Sequence, residues 1–268
     1  MLGNSAMISF DHSRNRQTLE GAKAVLSAVF CREVPRSLLD VGCGTGTWLR
    51  AAADLGTNYV FGLDGILAKE QLHIPRHNIE ELDLTVPFDL GRRFELVLCL
   101  EVAEHLPKNS ASTLISSIVR HSDLVLFSAA CPRQPGQNHI NCQWPAYWQA
   151  HFNRCGFMCD DSVRWQIWED QRIEPWYRQN IFYARHDPYR AGREMRLKPV
   201  IHPELFESLS DDFIRDAVVN DIGKGSMGWT WYLTLPLRAA SGKLRRRASL
   251  SIGSDNKRDC RSCTKSDR

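Results

Sequence analysis

The chain has 268 residues, 43% hydrophobic and 24% charged, with a formal net charge of +3; this composition excludes wholesale disorder and fibrous repeats and leaves room for one α/β domain with additions, or two small domains. No stretch approaches the roughly 20 apolar residues that span a bilayer. The charge is uneven: from Arg238 to Arg268 ten Lys or Arg face three Asp, so this tail carries +7 and the body −4, which argues against broad nucleic-acid coating by the body.

Apolar residues Leu19, Ala22, Val25, Leu26, Val29 and Phe30 recur at helical spacing and predict an amphipathic helix over Arg14–Phe30, ended by Pro35. Apolar runs and helical stretches then alternate: strand Ser37–Val41, helix Thr45–Leu55, strand Tyr59–Leu63, a short helix near Gly65–Leu72, and strands Asn78–Leu82 and Phe94–Leu100. A helix over Pro107–His121 and strand Leu124–Ser128 follow. Strands separated by helices predict a parallel sheet with right-handed crossovers. A Pro- and Gly-bearing loop, Ala129–Gln143, leads to a helix from Pro145 to Cys155. Phe157–Trp165 and Gln179–Ala184 supply two last strands, an antiparallel pair at the sheet edge. Residues 187–236 read as an appendage of uncertain role, with a helix from His202 to about Val219 and a loop at Gly223–Gly228. Residues 237–268 read as a basic, flexible tail, with Lys243-Leu-Arg-Arg-Arg247 able to touch phosphates or an anionic membrane face. Met1-Leu-Gly-Asn-Ser-Ala-Met lacks the regions of a signal peptide, so the default location is cytoplasmic. The nine cysteines lack a disulfide-like framework and read as reduced thiols, and Cys260-Arg-Ser-Cys263 lacks a second ligand pair for structural zinc.

The chemistry is carried first by Asp40-Val-Gly42-Cys43-Gly44-Thr-Gly46, directly after Leu38-Leu39, and by Asp64 at the end of Tyr59-Val-Phe-Gly-Leu63. Glycine lets a strand turn sharply into a helix and lets bare backbone approach a ligand, while a carboxylate at the tip of the next strand can accept ribose hydroxyls. Dinucleotide sites favour Gly-x-Gly-x-x-Gly. Here the spacing is Gly-x-Gly-x-Gly with an acid before it, which suits a cationic cofactor better than an anionic diphosphate.

These residues resemble the S-adenosyl-L-methionine-dependent methyltransferases of the Rossmann-like class, whose first motif is commonly Asp-x-Gly-x-Gly-x-Gly. The resemblance implies a seven-stranded, mostly parallel α/β sheet with helices on both faces over residues 1–186. It implies that Gly42, Gly44 and Gly46 face the methionine moiety and that Asp64 holds the ribose, with Asp40, Cys43 and Gly65 beside them as further cofactor-binding candidates. Asp83 or its neighbour Leu84 would meet the adenine, although Asp83 reads equally well as a loop-opening Asx turn.

Glu101-Val-Ala-Glu104-His105 follows the fourth strand. If helical, its three polar residues share one face, and with His139 in the loop after the fifth strand they could grip Mg2+ or Mn2+. The run looks like the metal site of methyltransferases acting on the 3′-terminal ribose of small RNAs and, for its first three positions, of ubiquinone biosynthesis. A metal there lowers the pKa of an acceptor alcohol, about 15–16 when free. Many small-molecule methyltransferases carry the same run without an ion, the Glu bonding near the methionine end and the His packing, so Glu101 also counts among the cofactor-binding candidates. His139 and His105 are the candidate catalytic residues, His139 as general base.

Ser13-Arg-Asn-Arg-Gln, Phe127-Ser-Ala-Ala, Asn138-His-Ile-Asn141, Gln143-Trp-Pro-Ala-Tyr-Trp148 and Trp176-Tyr-Arg-Gln-Asn180 also resemble a bacterial group of methyltransferase-domain proteins loosely tied to glycan or secondary-metabolite modification. Trp144 and Trp168 are candidates for stacking an acceptor, with Arg172 and Arg178 binding an acidic group. The expected activity is O-methylation of a small-molecule or glycan hydroxyl. Methylation of terminal RNA ribose and a non-catalytic, cofactor-binding scaffold remain as alternatives.

Overall fold

The computed structural model describes residues 10–12, 16–31, 33–66 and 72–207. Seven strands form one sheet: β1 Ser37–Val41, β2 Tyr59–Asp64, β3 Ile79–Glu81, β4 Leu96–Leu100, β5 Leu124–Ser128, β6 Phe157–Asp160 and β7 Phe182–His186. Their order is β3-β2-β1-β4-β5-β7-β6. β1 to β5 run parallel, and β7 runs antiparallel to both β5 and β6. Among the described residues, helices that lie against the sheet are α1 Leu19–Val29, α2 Thr47–Asp54, α3 Ala111–Arg120, α4 Pro145–Arg154, α5 Ser162–Ile167 and α6 Pro175–Asn180.

Alternation along the central strand builds two cores. Every residue of β4 is buried. Val97 and Cys99 point into a cluster with Leu114, Ile115 and Ile118 of α3 and Trp148 and Phe152 of α4. Leu96, Leu98 and Leu100 point the other way, toward Val25 and Leu26 of α1, Trp48 and Leu49 of α2, Val163 and Ile167 of α5 and Tyr177 of α6. A strand buried on both faces reads as an unbroken apolar run, as Leu-Val-Leu-Cys-Leu does.

Several elements differ from the expectation. Phe157–Trp165 is a strand only as far as Asp160, whose Oδ1 accepts from the Ser162 amide at 2.6 Å and turns the chain; Val163 and Ile167 then face inward from α5 at helical spacing. Trp176–Asn180 belongs to α6, with Pro175 in its first turn, so the last strand begins at Phe182. The Pro107–His121 helix opens with a 3-10 turn, Lys108–Ser110, before α3. α1 begins at Leu19 because the Thr18 hydroxyl caps it by accepting from the Gly21 amide.

Residues 187–207 stay on the domain. Glu194 Oε1 accepts from Gln149 at 2.9 Å, Asn153 at 2.6 Å and the Cys159 amide at 3.2 Å, and Leu197 joins the α3/α4 core. Residues 203–207 start a helix; its continuation to Val219, the loop at 223–228, the basic tail with Cys260 and Cys263, and most of the helix expected near 65–72 lie outside the described residues. The seven cysteines among the described residues are free. No described helix is long and apolar enough to cross a membrane.

Candidate active site

The glycine loop leaves β1 with Gly42, Gly44 and Gly46 all in the left-handed region, φ +85°, +54° and +84°. The Gly42 and Cys43 amides both donate to the Leu63 carbonyl, at 2.7 and 3.0 Å, which hangs the loop on the end of β2. A Cβ on Gly42 would stand 2.3 Å from Val102 Cγ2, and one on Gly46 would stand 2.8 Å from Ile74 Cγ1. Asp64 completes the turn: Oδ2 accepts from the Gly44 amide at 2.7 Å and Oδ1 from Ile66 at 2.9 Å. His12 Nε2 lies 3.8 Å from Asp64 Oδ1 and donates to the Ile66 carbonyl at 2.9 Å.

Asp40 sits behind the loop, 2% exposed, with Oδ2 unpartnered. Burial, reinforced by neighbouring Asp64, pushes its carboxyl up to about 8. Burial raises Asp64 as well, opposed by the amides of Ile66 and Gly44. The buried Cys43 thiol is pushed well up by burial and then by the two acids, which keeps it protonated. Gly65 has room, the nearest atom to an added Cβ being the Leu82 carbonyl oxygen at 3.7 Å. Asp83 is exposed and forms the Asx turn, its Oδ1 accepting from the Thr85 amide and hydroxyl at 2.8 and 2.6 Å. Leu84 is buried in the core.

At the end of β4 the chain does not form the helical turn that would put Glu101, Glu104 and His105 on one face. Glu101 is left-handed, φ +53°, its amide donating to the Ser128 carbonyl and hydroxyl, both at 3.1 Å. Val102 packs against Gly42, and only Ala103–His105 form a single 3-10 turn. The Glu101 carboxylate turns to Gln134 Nε2 at 2.9 Å and Asn180 Nδ2 at 3.1 Å. Burial raises its pKa, against the hydrogen bonds from Ser128, Asn180 and Gln134.

Glu104 is fully buried and neither carboxyl oxygen has a partner. Its carbonyl accepts from the Ile140 and Asn141 amides at 2.9 and 3.0 Å, and this brings the loop after β5 over the turn. His139, on that loop, donates from Nδ1 to the Gln134 carbonyl at 2.9 Å, which leaves the lone pair on Nε2. Its ring meets His105 edge-on at 5.0 Å, and Phe10 packs on both His105 and His12, at 4.9 and 5.1 Å. Glu104, His105 and His139 each offer one ligand atom, all within 4.8 Å of one another. Burial and then Glu101 push Glu104 well up. Burial and then His139 push His105 down to about 4, and burial lowers His139. Two neutral imidazoles beside an unpartnered buried carboxyl fit a divalent cation, which would repay the desolvation of Glu104. Glu101, held by its amide partners, stands outside this trio.

The fold thus gathers Asp40, the glycine loop and Asp64 into one cluster, and Glu104, His105 and His139 into another. Phe10 and His12 link the two, a connection the sequence did not signal; nor did it signal Gln134 and Asn180. Gln137 secures the link, its side chain accepting from the Asp11 amide at 3.3 Å and donating to the Asp11 carbonyl at 3.0 Å. Trp148 and Tyr177 are core residues, while Trp144 is 40% exposed. Neither proposed anion-binding arginine is free for that role: Arg178 pairs with Glu204 and Arg172 with Asp170. A surface depression of about 400 Å³ between Arg93 and Arg185 lies at the opposite, amino-terminal ends of β4 and β5, away from where such sheets bind ligands.

The methyltransferase-domain family matches residues 10–171. No curated protein matches the chain in sequence. Among solved structures it is similar to a sugar N-methyltransferase from Streptoalloteichus sp. (16% identity, 66% of this chain and 90% of that one, TM-score 0.49). It is also similar to an amino pentose methyltransferase from Micromonospora echinaspora (19%, 64% and 92%, 0.47). A third is the magnesium protoporphyrin IX methyltransferase of Synechocystis PCC 6803 (19%, 66% and 88%, 0.43).

Proposed function

The chain belongs to the methyltransferase-domain family, and from that premise we propose that it transfers the methyl group of S-adenosylmethionine to a hydroxyl of a small molecule or glycan, leaving a methyl ether and S-adenosylhomocysteine. One observation carries the reading: Asp40 and Glu104, at the carboxyl ends of neighbouring strands β1 and β4, are buried carboxyls with unpartnered oxygens. Such groups cost several kcal/mol in isolation, of the order repaid by a positively charged ligand.

S-adenosylmethionine supplies a methyl group on a positive sulfur, which an oxygen nucleophile displaces in line. The protein supplies alignment and electrostatics. The open backbone from Gly42 to Gly46 admits the cofactor, Asp40 offsets its charge, Asp64 holds its ribose and Glu101 its methionine end. Asp83 and Leu84 border the adenine side. The acceptor enters over His105 and His139. With Nδ1 committed to Gln134, His139 Nε2 is the group that takes the hydroxyl proton. If a divalent cation is held by Glu104, His105 and His139, it supplies a Lewis acid that lowers the hydroxyl pKa by several units. Nε2 can then only be its ligand, because one lone pair cannot do both jobs.

Calorimetry with S-adenosylmethionine and a labelled-methyl assay on sugars, phenols and short RNAs, with and without Mg2+ or Mn2+, test this. The expected product is a methyl ether of a sugar or small molecule; methylation of the RNAs alone would replace the acceptor. Activity indifferent to exhaustive chelation and to Glu104→Ala dismisses the ion and leaves His139 as base. Folded protein with no affinity for the cofactor, and unchanged by Asp64→Ala, overturns the reading.

A further inference from the structure

The last three residues of α6 are Arg178, Gln179 and Asn180, and all three side chains are buried. Burying a guanidinium and two amides is costly unless each is answered by a partner. Asn180 answers inward: Nδ2 donates to Glu101 Oε1 at 3.1 Å and to Gln134 Oε1 at 2.9 Å. Gln134 in turn donates from Nε2 to Glu101 Oε2 at 2.9 Å, and its carbonyl accepts from His139 Nδ1. Two side-chain amides therefore fix both oxygens of Glu101, and the main-chain carbonyl of Gln134, which carries one of them, sets the tautomer of His139.

The other end of the run points away from the site. Gln179 Nε2 donates to Asn180 Oδ1 at 3.0 Å, while its Oε1 accepts from the His202 amide at 2.8 Å. Arg178 grips Glu204 with both terminal nitrogens, at 3.1 and 2.5 Å, and reaches the Trp168 carbonyl, which also accepts from His202 Nε2 at 3.0 Å. A hydrogen-bonded path runs from residue 202 through Gln179 and Asn180 to the Glu101 carboxylate and the Gln134 side chain, and the Gln134 main-chain carbonyl holds His139.

We propose that Arg178, Gln179 and Asn180 are positioning residues: Asn180 aligns Glu101 toward the cofactor and, through Gln134, His139 toward the acceptor, and docking of residues 202–204 keeps the run in place. This rests on the methyl-transfer reading. A residue that acts through another loses its effect when that other is removed, whereas a merely structural residue does not. The test is a double-mutant cycle on the full chain, with the dissociation constant of S-adenosylmethionine measured by calorimetry and folding checked by thermal melting. Asn180→Ala is expected to raise that constant about tenfold in the native background and less than about twofold in a Glu101→Ala background. Glu204→Gln, at a half-exposed position that folding tolerates, is expected to raise it about threefold, again only where Glu101 is intact. Equal factors in both backgrounds, or no effect of Glu204→Gln when Asn180→Ala does not fold, overturn the proposal. Native protein that fails to bind the cofactor overturns the methyl-transfer reading instead.

Discussion

A methyl group added at Gly42 would meet both γ-carbons of Val102, at 2.3 and 2.8 Å, on a backbone with φ +85°. Gly42→Ala is therefore expected to cost about 1–3 kcal/mol in denaturant unfolding and to weaken cofactor binding, while Gly65→Ala changes stability by less than about 0.5 kcal/mol. Asp40 gives a test with a defined sign. Its folded pKa of about 8 lies above the ordinary 3.8, so the stability provided by its proton is complete below about pH 4 and is lost as the pH rises through 8. Cofactor-free Asp40→Asn should be more stable than the parent at pH 8, with the gap closing toward acid pH in parallel thermal melts. It should also bind S-adenosylmethionine more weakly. The parent should release a proton on binding, seen as a calorimetric heat that varies with buffer ionisation enthalpy. The acids and glycines of this loop were legible because their constraint is local, a strand-to-helix turn of fixed spacing. Asn180 and Gln134 were not, since they reach Glu101 from 79 and 33 residues away.

The elements differ in how much of themselves the sequence reveals. β1 and β5 lie where apolar runs place them, because runs of five residues bounded by turns are too short for a helix. The run Phe157–Trp165 reads as strand throughout, yet its apolar residues fit a helix as well, and the Asp160 side chain turns the chain into α5. The Glu101–His105 stretch would put its three polar residues on one face only as a helix, and the contact between Val102 and Gly42, made across the sheet, goes with an irregular turn instead. The loop after β5 shows the same dependence. Gly136 lies so close to His139 that an added Cβ would be 2.1 Å from Nε2. Gly136→Ala must displace the imidazole, and it is expected to lower kcat at least about tenfold while leaving cofactor affinity in calorimetry unchanged. Equal losses in both would place the strain in the cofactor loop.

At the scale of the molecule, the segment 187–207 answers polar groups that the sheet domain buries. A chain ending at residue 186 would take Glu204 from Arg178 and the His202 amide from Gln179, strip Gln149 of its Glu194, Met195 and Leu197 contacts, and remove Leu197 from the α3/α4 core. Breaking a fully buried ion pair costs about 3–5 kcal/mol; Glu204 is half exposed, so its share is smaller. The shortened chain is expected to melt below the full chain and to bind S-adenosylmethionine more weakly; equal melting points and affinities would make 187–207 a passive extension. By itself the sequence determined the alternation of strands and helices, the glycine turn and the acids that flank it, because each follows from local periodicity and backbone sterics. Only the tertiary structure decided which carboxylates lose their water, which imidazole nitrogen keeps its lone pair, and that α6 joins residues 202–204 to Glu101. Burial and hydrogen-bond partnership depend on what the rest of the chain packs against each group.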